Sequence, residues 1–471
     1  MMAEPNSRPV VVVGGGLAGL AAACALADEG YGVTLLERRP YVGGRASSYE
    51  HPGTGAVIDN CQHVLIGRCT NLIDLYRRLG VNDAIRWYRQ FTFVEPGGRQ
   101  SVLHSTWLPA PMHSTPSFLT AHAFPWADKA AIARGLMKFL GGLPPDSEEN
   151  FAQWLQRHGQ TKGAMEHFWK PVLVSALNED PERISVHYAA KVFRESFLLS
   201  AEAGQMGIPS IPLSELYGHA VDYIRKRGGV VRLRTSVEAM ESGAHGGWVA
   251  RSGEERFAAD AVVLALPFEG LSKLLPQMPS AAGLEGLKAK LEGFEHSPIT
   301  GIHLWFDRPV TELEHAVLLD SPIQWLFNKS VLQPEHRAHG ENYVELVVSA
   351  SRALVPMQRQ EILDLATAEL ARFFPAVREA KLVKAAVVKE VRATYSVRPG
   401  LDQCRPATTE SPWPGIMLAG DWTATGWPAT MEGAVRSGYL AAEAVTEMFG
   451  SRKQLRVAES PHGGFMRLMP A

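Results

Sequence analysis

The run Val10-Val-Val-Val-Gly14-Gly-Gly16-Leu17-Ala18-Gly19-Leu-Ala-Ala-Ala-Cys24-Ala-Leu-Ala27 decides the fold, because an uncharged stretch of this length suits a bilayer span, a secretion signal or a nucleotide cradle. The glycines choose between them. Three consecutive glycines weaken a helix interior by roughly 1 kcal/mol each, whereas a strand entering a sharp turn requires them. The stretch therefore divides into a buried parallel strand (Val10 to Val13), a turn, and an alanine-rich helix from Leu17 to Ala27. In the spacing Gly14-x-Gly16-x-x-Gly19, the first glycine makes the turn, the second lets backbone approach a pyrophosphate, and the third lets helix and strand pack closely. The first helical N–H groups, at Leu17 and Ala18, then face the phosphates.

The residues that follow strengthen this reading. A second strand, Gly32-Val-Thr-Leu-Leu-Glu37, ends in a carboxylate eighteen positions after Gly19, where it can accept hydrogen bonds from ribose hydroxyls. A second glycine turn, Arg38-Arg39-Pro-Tyr-Val-Gly43-Gly44-Arg45, brings a cation back beside the same phosphates. Far downstream, Gly415-Ile-Met-Leu-Ala-Gly420-Asp421 reads as a buried strand ending in Gly-Asp. It precedes Trp427-Pro-Ala-Thr430-Met431-Glu432-Gly433, a helix start whose positive end would face an electron-accepting ring such as a flavin.

Composition narrows the partners. The 471 residues are 46% hydrophobic and 20% charged with a net charge of −2, so the chain can bury a large core and carries no basic field to collect nucleic acid. Cys24, Cys61, Cys69 and Cys404 form no C-x-x-C pair and no metal spacing, so a reducing, cytoplasmic setting without structural zinc is expected.

On these residues the chain resembles the FAD-dependent amine oxidase and phytoene desaturase superfamily. The match covers the G-x-G-x-x-G…E…G-G-R segment, the middle V-x-x-L-x-T-x-V with A-D-A-V-V-L-A-L-P, and the late G-D…M-E-G-A-V-x-S-G. It implies an α/β, Rossmann-type FAD-binding domain of the GR2-like flavoprotein kind, with a mixed α+β substrate domain. It also implies an FAD site formed by Gly14, Gly16, Leu17, Ala18, Gly19, Glu37, Arg38, Gly43, Gly44, Arg45, Val237, Gly420, Asp421, Thr430 and Met431. In that site Glu37 holds the adenosine ribose, Val237 meets adenine through its backbone, Asp421 faces the ribityl–phosphate region, and Met431 reaches the flavin through its N–H. These blocks lie far apart, so the FAD domain is expected in three parts, 1–88, 212–267 and 406–450. Substrate-domain parts fall at 89–211 and 268–405, and a loosely docked tail at 451–471. Helices are expected near Phe151 to His158, Tyr188 to Leu199 and Gln360 to Phe373, and strands near Thr300 to Phe306 and Tyr343 to Val348.

Departures and further resemblances address the substrate. The superfamily's amine oxidases usually carry a tyrosine of an aromatic cage where this chain has Thr430, so an amine loses support. Three longer stretches, Asp59 to Gly67, Phe168 to Asn178 and Met206 to Ser214, look like the squalene-associated FAD enzymes, the hydroxysqualene dehydroxylases of hopanoid biosynthesis. That resemblance implies reductive removal of an allylic hydroxyl to give squalene, with hydride from reduced flavin. An oxidative polyprenoid desaturase is the alternative within enzymes, and a non-catalytic isoprenoid-binding flavoprotein the alternative outside them. His63, beside the Asp59 block, is the candidate proton donor; Glu432 is a second, with ordering of the helix start as its other reading. The expected partners are an apolar isoprenoid substrate and a separate electron donor, since no second nicotinamide fingerprint occurs. The aromatic stretch from Trp107 to Leu140 reads either as a peripheral contact with the inner face of the cytoplasmic membrane or as a wall of the substrate tunnel, and the wall is favoured.

Overall fold

A computed structural model describes residues 8–243, 246–338 and 340–469. The opening stretch forms strand β1 (Pro9–Val13), helix α1 (Leu17–Asp28) and strand β2 (Gly32–Leu36). Strands β3 (Val230–Arg232), β4 (Ala261–Leu264) and β5 (Ile416–Leu418) complete a five-stranded sheet in the order β3-β2-β1-β4-β5. Every pairing is parallel, with Val11 opposite both Thr34 and Val262 and Val263 opposite Met417. Being central, β1 buries all four valines, which explains a continuous apolar run in place of alternation.

Helix α1 is apolar all round because both its sides are covered, by the sheet and by helix α2 (Met431–Met448). The two helices touch backbone to backbone: a Cβ added at Gly438 would stand 2.1 Å from the Ala18 carbonyl oxygen. Between β3 and β4 the chain makes an antiparallel three-stranded meander, Ala239–Ser242, Trp248–Ser252 and Glu255–Ala259.

A second, seven-stranded sheet runs in the order 382–395, 296–306, 342–349, 325–328, 315–318, 90–94, 100–104. All its pairings are antiparallel except that of 315–318 with 90–94. A helical layer adjoins it, including 115–120, 126–137, 151–157, 170–177 and 186–193. Its aromatic core places Phe139, Phe151, Trp154, Trp169 and Phe193 ring against ring. The architecture is thus a Rossmann-type α/β unit with a mixed α+β unit beside it.

Two expectations are corrected. Residues 451–469 are not loosely docked: Val457 N donates to Asn71 Oδ1 at 2.9 Å, Leu455 N to Glu443 Oε1 at 2.9 Å, Gly463 N to Leu199 O at 2.7 Å, and Met466 is buried. The favoured reading of Trp107 to Leu140 also fails. This segment lies outside the walls of the large cavity described below and turns Trp107 (89% exposed) and Trp126 (70% exposed) to solvent.

Candidate active site

A cavity of about 1090 Å³ runs between the two units. That exceeds the roughly 300–1,000 Å³ of a pocket for one small molecule. One end is the glycine cradle. Gly14 takes φ +108°, closed to ordinary side chains, and a Cβ at Gly19 would stand 1.9 Å from the Gly14 carbonyl oxygen. Gly19 accordingly packs beneath the turn, while Gly14, Gly16, Leu17 and Ala18 line the cavity. Gly16 caps α1 without any side-chain hydrogen bond. A Cβ at Gly16 would meet nothing nearer than Gly44 Cα at 3.8 Å. The start of α1 thus presents N–H groups to open space beside Gly43 and Gly44, a cradle with the dimensions and polarity of a phosphate site.

Glu37 sits at the cavity wall, its carboxylate accepting from Gly15 N at 2.6 Å and Arg39 N at 2.7 Å. Those bonds fix its orientation and leave lone pairs for ribose hydroxyls. Arg38 stands exposed at the rim, Arg39 donates to Gly44 O at 2.7 Å, and Val237 lines the wall between Ser236 and Glu238.

The distant segments come to the same cavity. Arg45 is ion-paired with Asp421 and donates to Ala393 O at 3.2 Å, so a cation and a carboxylate that sequence assigned separately form one unit. Gly420 N donates to Ser437 Oγ at 2.8 Å, which fastens the Gly-Asp turn to α2. Thr430 caps α2 by accepting from Gly433 N at 3.1 Å, and Met431 opens the helix at the cavity wall. Glu432 turns away. It is fully buried and accepts from Asn71 Nδ2 and Leu72 N, both at 2.8 Å. Burial holds its carboxyl above the usual range, and its oxygens are committed to the first turn of another helix, Thr70–Leu79, and neither to the start of its own helix nor to proton delivery.

The other end of the cavity is apolar, walled by Phe91, Phe93, Leu103, Val192, Phe197, Met206, Ile299, Val317, Phe327 and Val347. Trp325 also faces it, with its indole N–H occupied by Ser175 Oγ at 2.6 Å. The lumen there offers ring faces and methyl groups.

A family model for flavin-containing amine oxidoreductases matches residues 17–446. The chain belongs to this family. It is an FAD-dependent oxidoreductase. Among its relatives, a 15-cis-phytoene desaturase of Glycine max is 28% identical, covering 96% of this chain and 82% of the relative. A probable zeta-carotene desaturase of Synechococcus elongatus is 27% identical over 93% of this chain and 98% of its own length. Solved structures agree in fold. A putrescine oxidase bound to putrescine has a TM-score of 0.71 at 18% identity, covering 94% of this chain and 99% of that one. An oxidoreductase from Methanosarcina mazei has a TM-score of 0.71 at 16% identity, covering 93% and 100%.

In this flavoprotein His63 lines the cavity, and its Nδ1 lies 2.8 Å from Cys61 O. A carbonyl only accepts, so the ring proton sits on Nδ1 and Nε2 carries the free lone pair. Burial holds its pKa below the ordinary histidine value, so the neutral ring prevails at pH 7. The geometry suits a proton acceptor better than the expected donor.

The loop bearing His63 rests on a buried charge cluster that the sequence did not disclose. Lys329, 1% exposed, donates to Asp59 Oδ2 at 2.7 Å and Gln62 Oε1 at 2.8 Å and lies 3.5 Å from Glu345. Burial pushes the Asp59 carboxyl up, but Lys329 and the Ser48 and Leu213 donors outweigh it and hold it low. At Glu345 the Lys329 charge and the Gln62 backbone do not outweigh burial, which raises it to about 7. A second unforeseen group, the Lys191–Glu195 pair at 3.6 Å, places charge on the cavity wall, with Lys191 Nζ 5.0 Å above the Trp427 ring.

Proposed function

We propose that this flavoprotein exchanges a hydride between FAD and an allylic carbon of a long, linear polyprenoid. The observation that carries the proposal is the continuity of one cavity from a phosphate cradle to a wall of aromatic and aliphatic side chains. When bound, FAD supplies the two-electron acceptor or donor. Its pyrophosphate would be held by Gly14, Gly16, Leu17, Ala18, Gly43 and Gly44, its ribose by Glu37, its adenine by Val237. The ribityl and ring portions would be held by Arg45, Gly420, Asp421, Thr430 and Met431. The chain's own contributions at the reacting end are orientation, exclusion of water and management of one proton.

Carotenoid-type desaturation is the direction that the relatives' names favour. A C–H···C–H unit becomes C=C by losing a hydride from one carbon and a proton from its neighbour. Neutral His63, with Nε2 free, is built to take that proton, while the Cys61 carbonyl stabilises the imidazolium that forms. This direction would require a separate electron acceptor.

A second reading, reductive dehydroxylation of hydroxysqualene, is favoured by one observation. The three stretches that resemble the dehydroxylases, 59–67, 168–178 and 206–214, all contribute cavity wall, through residues such as Gln62, Val172 and Met206. Resemblance at the walls bears on substrate, whereas overall likeness bears on fold. This direction requires reduced flavin from an external donor and a proton for the departing hydroxyl. Anaerobic single-turnover mixing decides between them: oxidised enzyme with 15-cis-phytoene against reduced enzyme with hydroxysqualene. Flavin change without any polyprenoid product refutes both.

The substrate would enter from lipid. Trp107, Trp126, Met137, Phe465 and Leu468 are exposed, as are Arg134, Lys138 and Arg467 of the same two segments. The turn at Gly464–Leu468 packs on the Trp107 segment, Phe465 N donating to Ala110 O at 2.9 Å. Exposed apolar side chains and cations on the same segments suit the interface of an anionic bilayer. Among the described residues no helix is long and apolar enough to cross one.

A further inference from the structure

We infer that Arg405 is a positioning residue of the FAD site, a side chain that gathers the loop between the Gly420-Asp421 turn and the Thr430-Met431 helix start. Arg405 is 4% exposed and lies in a turn before β5. Its Nη2 donates to Asp421 O at 3.0 Å, Thr423 O at 2.6 Å, Thr425 Oγ1 at 3.2 Å and Trp427 O at 2.7 Å. Three carbonyls of one seven-residue loop thus turn inward onto one guanidinium. Without it the Thr423 carbonyl would lose one of its donors, and those of Asp421 and Trp427 would keep only the long contacts from Tyr395 Oη and Thr425 Oγ1, both at 3.4 Å, so the loop would loosen.

The consequence reaches the cofactor because both ends of this loop are cavity wall, Asp421 on one side and Trp427 to Met431 on the other. Fixing the span between them fixes the distance between the parts that meet the ribityl chain and the flavin ring. The other amino group of Arg405 donates to Tyr188 Oη and lies 3.4 Å from Asp402. Tyr188 belongs to the helix Val186–Phe193, whose Lys191 and Val192 also line the cavity. One guanidinium therefore joins the cofactor loop to the wall of the second ligand. Only a planar fork with several donors makes this set of contacts; a lysine ammonium supplies the charge without the fork.

The test uses the apoprotein and FAD, with no substrate. Arg405→Met and Arg405→Lys are compared with wild type by FAD titration, by the absorption bands of the bound flavin and by melting of the apoprotein. Loss of the guanidinium's contacts to the loop predicts FAD binding weaker by on the order of 100-fold in Arg405→Met, with added guanidinium ion restoring at least about tenfold. Arg405→Lys is expected about tenfold weaker with displaced flavin bands. Wild-type affinity in a folded Arg405→Met protein, or failure of guanidinium to rescue it, overturns the inference. If Arg405→Met does not fold, Arg405→Lys decides, and unchanged affinity and unchanged bands overturn it. Failure of the wild-type protein to take up FAD would instead strike at the cofactor assignment itself.

Discussion

Replacing Gly16 by alanine would separate holding the nucleotide from holding the fold. Gly16 has φ −76° and ψ 177°, a conformation open to any residue, and an added methyl group meets nothing closer than 3.8 Å. The apoprotein should therefore lose no stability and can gain up to about 1 kcal/mol from a less flexible unfolded chain. The methyl group nevertheless occupies the gap between the α1 N-terminus and Gly43–Gly44 that the pyrophosphate needs. Each charge-assisted hydrogen bond forfeited there is worth roughly 1.5–3 kcal/mol. Losing one or two weakens FAD binding by about 1.5–6 kcal/mol, or roughly 10- to 20,000-fold. Titration of apoprotein followed by flavin fluorescence, alongside thermal melting, reads both quantities. Gly19→Ala is the contrast, since its methyl group would stand 1.9 Å from Gly14 O and must displace backbone, costing about 1–3 kcal/mol of stability as well. Wild-type FAD affinity in Gly16→Ala, or an apoprotein as destabilised as Gly19→Ala, would refute the cradle.

His63→Gln should slow single-turnover flavin reduction by desaturase substrate by about 10²–10⁴-fold. In the wild type that rate should fall as pH drops through the lowered pKa of His63, because the base form is lost on protonation; a flat acid limb in stopped-flow measurements contradicts the role. Glu345, raised from 4.5 to about 7, favours the fold below pH 4.5, and that contribution fades as pH climbs to 7, by about 3 kcal/mol. Urea unfolding of Glu345→Gln should accordingly show a flatter decline in stability between pH 5 and 8 than wild type, and parallel curves would exclude the assignment. Changing Trp107, Trp126 and Leu468 together to serine should abolish flotation with anionic liposomes while leaving FAD content unchanged; equal flotation of both forms removes the membrane face.

What the sequence discloses here is local. Val10 to Ala27 and Glu37 are legible because a βαβ turn places its chemistry within thirty residues and marks each position by side-chain type. Gly420-Asp421 and Met431 are legible for the same reason, as a strand end and a helix start. Lys329 is not: its partner Asp59 lies 270 positions away, and its neighbours Asn328 and Ser330 spell a surface glycosylation triplet although all three are buried. Arg405 escapes likewise, since its acceptors in the loop include three backbone carbonyls, which any sequence supplies. The tail misleads because it is held by hydrogen bonds that its backbone N–H groups donate to Asn71 and Glu443 and not by a periodic apolar face. Trp107 to Leu140 misleads because apolar residues announce that something covers them without saying whether it is protein or lipid.

The central claim is that FAD and a linear polyprenoid share one cavity and exchange hydride there. Anaerobic stopped-flow mixing of the FAD-loaded protein with 15-cis-phytoene, and of its reduced form with hydroxysqualene, each followed by product extraction, tests it most directly. The account predicts that one of the two mixtures changes the flavin's redox state in an amount equal to the polyprenoid product formed. A flavin indifferent to both lipids but reduced by a primary amine such as putrescine would contradict it.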